Sequence, residues 1–182
     1  MAAPDTTTAD EDSKATILAI LAENRIMSLA TLRPDGWPQV TLVGYAHDDL
    51  MLYCAVGRSS QKLANISRNP RVAIAIGHDQ PKRLRGLSMS GKAVQVTDME
   101  EITRLNSSIA GRYPEQMIFA PREASSAVLR ITPKLVSIID LAKGPGLPTL
   151  VEVMSQTVVR PVDEHQADEI MREGAGPPVR GV

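Results

Sequence analysis

Apolar positions along the chain change period once, near residue 25, and that change divides a helix from a run of strands. Ile17, Ile20 and Leu21, with Leu18 beside them, recur at helical spacing behind a cap signal at Asp12 or Ser13, predicting a helix that ends near Asn24. Ile26 to Leu32 is then a compact β-compatible run, and Arg33-Pro34-Asp35-Gly36 has proline and glycine where a tight turn prefers them. Trp37 to Ala46 reads as the second arm of a hairpin, with Val40 and Leu42 on one face and Gln39, Thr41 and Val43 on the other. His47-Asp48-Asp49 is the next turn, and Leu50 to Val56 is a third strand, apolar on both faces.

A glycine turn at Gly57 leads to one short helix. Ser59 and Ser60 stand at its N-cap, Leu63 and Ile66 face a core, and Asn69-Pro70 stops it, because the residue before proline is pushed out of helical geometry. Arg71 to Gly77 is again apolar on both faces, and its alanines suit the tight interior of a small barrel. His78 to Gly86 is a basic loop, and Leu87 to Val96 a fifth strand whose Gly91 marks a bulge or a close approach. Asp98 with Glu101 opens a helix carrying Ile102, Leu105 and Ile109, and Tyr113 to Phe119 adds a helical turn or two. Ala127 to Ile139 is the sixth strand, with a break expected at Pro133. Beyond it come a loop from Lys143 to Pro148, a last strand from Leu150 to Met154, and a short helix from Asp163 to Glu173.

Short β segments joined mostly by short turns predict a mainly β fold, an antiparallel barrel or curled sheet with flanking helices. The expected organisation is a disordered tail over residues 1–11, one domain over 12–145, and a C-terminal extension over 146–182.

Composition narrows the function. Aromatic residues make up 3% of the 182, with Trp37 and Phe119 the only ones of their type, so a base-stacking surface for nucleic acid is not expected. The net charge is −1, yet Arg58, Lys62, Arg68, Arg71, Lys82, Arg83, Arg85 and Lys92 are opposed only by Asp79 within their span. A local basic excess on a neutral whole suits one small anionic ligand, or else a solvated basic face. Cys54 is the single cysteine, and His47, His78 and His165 show no metal-ligand spacing, so neither a disulfide nor a metal is expected. The absence of a signal peptide or a membrane-length apolar run gives a cytoplasmic protein as the expectation, with no membrane partner.

The start of the short helix is the best candidate for chemistry. Unpaired backbone N–H groups and a positive dipole end attract anions, and Ser60 and Lys62 add a hydroxyl and a cation. The alternative at this point is a capped connector helix with a solvated lysine.

The order of these motifs carries a resemblance: Met27 to Leu32 with Pro34-Asp-Gly36, Pro38 to Val43, Leu52 to Gly57, Ser60-Gln-Lys-Leu-Ala-Asn65 with Asn69-Pro-Arg-Val72, Gly91-Lys-Ala93, and Ile131-Thr-Pro-Lys134 leading to Ile139-Asp140. Over residues 14 to 145 the chain resembles the pyridoxamine 5′-phosphate oxidase-like family of FMN-binding split barrels. That resemblance implies a six-stranded antiparallel split barrel, a homodimer with flavin sites at its interface, and hydride transfer between FMN and a small-molecule substrate. It implies that Gln39, Val40, Thr41, Leu42 and Val43 run beneath the flavin ring, the N–H groups from Val40 to Leu42 stabilising negative charge there. Tyr53 and Cys54 would lie near the phosphate and ribityl chain. Ser60, Gln61 and Lys62 would form the phosphate cluster, with Arg85 as a helper.

Gln39 and Gln61 stand where the family oxidase has basic residues, Gly86 falls near its ring-contacting glutamine, and its C-terminal tryptophan and arginine have no counterpart. These departures point away from pyridoxal phosphate synthesis. The alternatives are a split barrel that binds a deazaflavin coenzyme, one that binds haem through His47 or His78, a non-enzymatic flavin-binding protein, and a structural dimer without cofactor.

Overall fold

The computed structural model describes residues 6–78, 85–112, 125–140 and 147–173. The basic stretch 79–84, the helical turn expected at Tyr113–Phe119, most of the loop after Asp140 and the last residues lie outside these. Helix α1 (Thr6–Glu23) buries Ile17, Ile20 and Leu21 completely, as their spacing predicts. It starts before the expected cap, so residues 6–11 are helical rather than tail. No glycine or proline interrupts the chain between Pro4 and Pro34, and the helix runs past the cap signal.

The hairpin of β1 (Ile26–Leu32) and β2 (Pro38–Gly44) pairs from Ile26↔Gly44 to Leu32↔Pro38. Its turn is closed by the Arg33 amide on the Trp37 carbonyl at 2.9 Å, with Gly36 at φ +86. The arm expected to reach Ala46 breaks at Tyr45, whose ring is buried and whose hydroxyl donates to the Leu21 carbonyl at 2.9 Å. A separate strand β3 (Ala46–Asp48) follows and pairs with β4 (Met51–Gly57), so His47 and Asp48 are in a strand and the turn falls at Asp49, with φ +51.

Next come α2 (Gln61–Arg68), β5 (Arg71–His78), β6 (Arg85–Val96), α3 (Met99–Arg112), β7 (Ser126–Asp140), β8 (Thr149–Val153), β9 (Val159–Val162) and α4 (Glu164–Glu173). All pairs are antiparallel, in the order β2-β1-β5-β6-β7-β4-β3, with β8 and β9 added beside β7. The six expected strands are all present, as β1, β2, β4, β5, β6 and β7, and the sheet curls into a split barrel without closing between β2 and β4.

One core fills the curl. It joins α1, Met27 and Leu29 of β1, Leu52 and Cys54 of β4, Leu63 and Ile66 of α2, and Val72, Ile74 and Ile76 of β5. On β5 the alanines face outward and are exposed; the interior side is the β-branched one, correcting the expectation of a strand packed on both faces. A second cluster, including Met51, Tyr53, Val96, Ile102 and Leu105, lies under α3. That helix is capped by Asp98, which accepts from the Glu100 amide at 2.9 Å, while α4 has a reciprocal box between Asp163 and Gln166.

Strand β7 is not broken at Pro133. Gly91 faces Pro133 and Ser90 faces Leu135, so Lys134 is an extra residue and the inward set changes from Leu129 and Ile131 to Val136 and Ile138. Gly91 is required at this crossing: a Cβ there would stand 2.4 Å from the Thr132 carbonyl oxygen. No helix among the described residues is long and apolar enough to cross a membrane.

Candidate functional site

Two strand edges and one helix start converge where the barrel is split. Among the described residues strand β2 pairs with β1 alone, so its other edge carries backbone groups without a partner strand. Strand β3 covers β4 only from Met51 to Tyr53, and beyond that no described strand covers the edge of β4 from Cys54 to Gly57. Directly after Gly57 the chain turns into α2.

Ser60 is the N-cap of α2, with φ −73 and ψ 143, and its side chain accepts from the Leu63 amide at 3.3 Å. The amides of Gln61 and Lys62 precede the helical ladder and carry the positive end of the helix dipole. Lys62 is half-buried and its Nζ donates to Thr41 Oγ1 on β2 at 2.7 Å. It makes no ion pair among the described residues. A cation in this position, beside open amide donors, is electrostatically incomplete without an anion.

Asn65 holds the arrangement together. It is fully buried; its Nδ2 donates to Thr31 Oγ1 at 3.0 Å and to Gln39 Oε1 at 3.2 Å, and its Oδ1 accepts from Gln61 Nε2 at 2.8 Å. Helix α2 is thus bonded to β2 twice, at Gln39 and at Thr41, two residues apart on one face. The sequence named Asn65 only as part of a motif. Its position on the buried side of α2, between Leu63 and Ile66, was the available signal for a structural hub.

The other expected site residues divide. Gln39, Thr41 and Val43 face inward, while Val40 and Leu42 are 62% and 74% exposed on the outer face. Cys54 points into the core, where burial pushes its thiol up to about 12, partly offset by the nearby Lys62 charge. Tyr53 points the opposite way, under α3. Its hydroxyl donates to Glu101 Oε1 at 3.4 Å, and burial first, then the Glu101 carboxylate, raise its pKa. Its side chain is therefore not beside Lys62.

Arg85 is not brought to Lys62 within the chain either. It opens β6 opposite His78, bonded to Asp140 at 3.2 Å and Glu23 at 2.9 Å. Val72, whose partner is Gly91, marks the end of β5 near Thr31 and α2, and the six steps along the strand from Arg85 to Gly91 span about 20 Å. The carboxylates at that far end hold the guanidinium there. Of the two histidines considered for haem, His47 is buried in β3 with Nδ1 3.0 Å from the Asp49 carbonyl, rather than solvated in a turn. The side chain of His78 lies outside the description.

A curled antiparallel sheet with flanking helices, left open between β2 and β4 beside the start of α2, is a split barrel. The chain belongs to the pyridoxamine 5′-phosphate oxidase family, whose model matches residues 13–140. General stress protein 26 of Bacillus subtilis (strain 168) is 32% identical over 69 residues, which are 38% of this chain and 49% of that protein. The matched stretch thus spans about half the length of this curated relative. Among solved structures, the conserved protein Rv2991 of Mycobacterium tuberculosis is 28% identical with a TM-score of 0.62, over 73% of this chain and 89% of that one. A structure described as an F420 reductase is 29% identical with a TM-score of 0.52, over 65% of this chain and 94% of that one.

Proposed function

We propose that the protein is a flavin-dependent oxidoreductase that holds FMN in the split of its barrel and acts on a small-molecule substrate as a homodimer. The observation that carries this reading is Lys62: half-buried, bonded to Thr41 and, among the described residues, without an acidic partner and flanked by open amides and two unpaired strand edges. These groups fit a phosphate and the polar edge of a ring system. Bound FMN supplies reversible hydride acceptance, which explains why no catalytic dyad is needed from the protein.

The chain's own part is binding and orientation. Lys62 and the first-turn amides of α2 grip the phosphate dianion, and the free edge of β2 offers main-chain donors to the ring. Gln61 contributes through its main chain, because its side-chain amide is committed to Asn65. Thr41 and Asn65 fix the distance between the phosphate grip and the ring strand. The exposed apolar Trp37, Val40 and Leu42 on the β1–β2 hairpin are the natural surface for a second copy.

A second reading, a deazaflavin coenzyme in the same slot, is supported by the similarity to the F420 reductase. Its phosphate could use the same grip. The visible spectrum of the purified protein, and of the protein after incubation with each coenzyme, tests both: flavin bands support FMN, uptake of deazaflavin alone supports the second reading, and uptake of neither contradicts both.

A further inference from the structure

On the outer face of the sheet a groove of about 670 Å³ runs from Ala30, Leu32 and Pro38 of the β1–β2 hairpin across β5, β6 and β7 and is walled by β8 and α4. Its size suits a small organic ligand. Arg71 on β5 and Lys92 on β6 are direct cross-strand partners, and Thr132 on β7 is the next partner in the same row. All three are exposed and line the groove.

Like charges directly opposite one another destabilise a strand pair. Nothing acidic offsets this pair among the groove's described lining residues, which include no carboxylate. Arg71 bonds only to the Asn69 side chain, at 3.1 Å, and Lys92 makes no hydrogen bond or ion pair among the described residues. Arg130, diagonal to Lys92, is already paired with Glu101 at 2.8 Å, and Lys134 donates to the Ile170 carbonyl, pinning α4 as the wall. Two uncompensated cations therefore face each other beside a hydroxyl. Next to them the lining turns apolar, with Val94 and Met171 41% and 40% exposed, and Val153 between sheet and helix.

We infer that this groove binds a small organic acid, its carboxylate held between Arg71 and Lys92 beside the Thr132 hydroxyl and its apolar body lying over Val94, Val153 and Met171. An anion between the two side chains removes their repulsion, and the apolar wall selects against inorganic ions. The C-terminal extension thereby acquires a task, since β8 and α4 supply the apolar side. The Arg71–Lys92 pair is apart from the slot at Lys62: neither Lys62, Thr41 nor any residue of α2 is among the groove's described lining residues, and Thr31 and Val72, whose side chains are buried, form its floor on that side.

The test uses the full chain with whatever coenzyme it retains. 1-Anilinonaphthalene-8-sulfonate is titrated by fluorescence and displaced with decanoate or decanol. One saturable probe site per chain is expected, displaced by decanoate and not by decanol at the same concentration. Arg71→Gln and Lys92→Gln should each weaken decanoate about tenfold. Each should also raise the melting temperature of the ligand-free protein by a few degrees, on the order of 1–3 °C, because the opposed charges are gone. Flavin affinity in both variants should stay at the wild-type value. Unchanged decanoate affinity in both variants, or equal displacement by decanol, would overturn the proposal. So would the lack of a saturable site, the result expected if a second copy covered this face, or a parallel loss of flavin affinity, which would merge the groove with the flavin slot.

Discussion

Lys62 Nζ stands 2.7 Å from Thr41 Oγ1, joining the first turn of α2 to β2, the edge strand of the split barrel. The hydroxyl is a weak partner for a full positive charge, and it leaves two of the three ammonium protons free. It does, however, hold the cation beside the open amides of the helix start. Thr41 thus aims Lys62 without neutralising it, which an aspartate at the same position would do.

Asn65 is the rigid part of this arrangement. Replacing it with alanine removes three hydrogen bonds and leaves Thr31 and Gln39 short of a partner, at a cost of about 2–3 kcal/mol. Thr31→Val removes one acceptor and should cost about 1 kcal/mol. Urea unfolding of the two variants gives the comparison, and equal midpoints would show that Asn65 is not the hub.

Gly91 marks the point where β7 carries its extra residue. Gly91→Ala drives a methyl group against backbone atoms, with Thr132 oxygen at 2.4 Å, and should destabilise by about 3 kcal/mol or more. Gly36→Ala meets no atom within 4 Å and suffers only from its φ of +86, about 1 kcal/mol. Thermal melts of the pair should place Gly91→Ala well below Gly36→Ala; the reverse order would contradict the crossing described here.

Cys54 sets a pH dependence. Its thiol titrates at about 12 in the fold against an ordinary 9.0, so the neutral form is favoured by folding. The raised value means that this contribution is complete below pH 9.0 and disappears as pH rises from there towards about 12. Tyr53, also raised, acts in the same direction, so Cys54→Val is the control: it should lose less stability than wild type between pH 8 and 11 in urea titrations. Native protein at pH 8 should also resist thiol reagents, and rapid stoichiometric labelling would show that Cys54 is not buried.

The outer face of β2 is expected to be covered in solution. Val40→Glu with Leu42→Glu should convert a dimer into a monomer by light scattering at micromolar concentration. A wild-type protein that is already monomeric there, yet binds flavin, would rule out an interface site.

Much of this architecture was legible because it rests on local rules. The period of α1, the existence and order of the six main strands, the turn at Gly36, the glycine crossing at Gly91 and the Ser60 cap were all readable from neighbouring residues. What was not readable depends on the sheet's curvature. The alanines of β5 look interior in the sequence and face outward. Arg85 belongs to the basic stretch in sequence, but the strand carries it to the end of the sheet where Asp140 and Glu23 wait. Tyr53 and Cys54 are adjacent, and the pleat sends them to different clusters. The facing of Arg71 and Lys92 arises only from the β5–β6 register, which no local motif states.

An FMN titration of wild type and Lys62→Ala, followed by flavin fluorescence, examines the assignment of the split as a phosphate-gripping slot most directly. Wild type should bind one FMN per chain, and Lys62→Ala should bind with a loss of about 1.5–3 kcal/mol, roughly ten- to a hundredfold, while melting at the same temperature without ligand. Equal affinity in the two proteins would place the phosphate elsewhere and contradict the assignment.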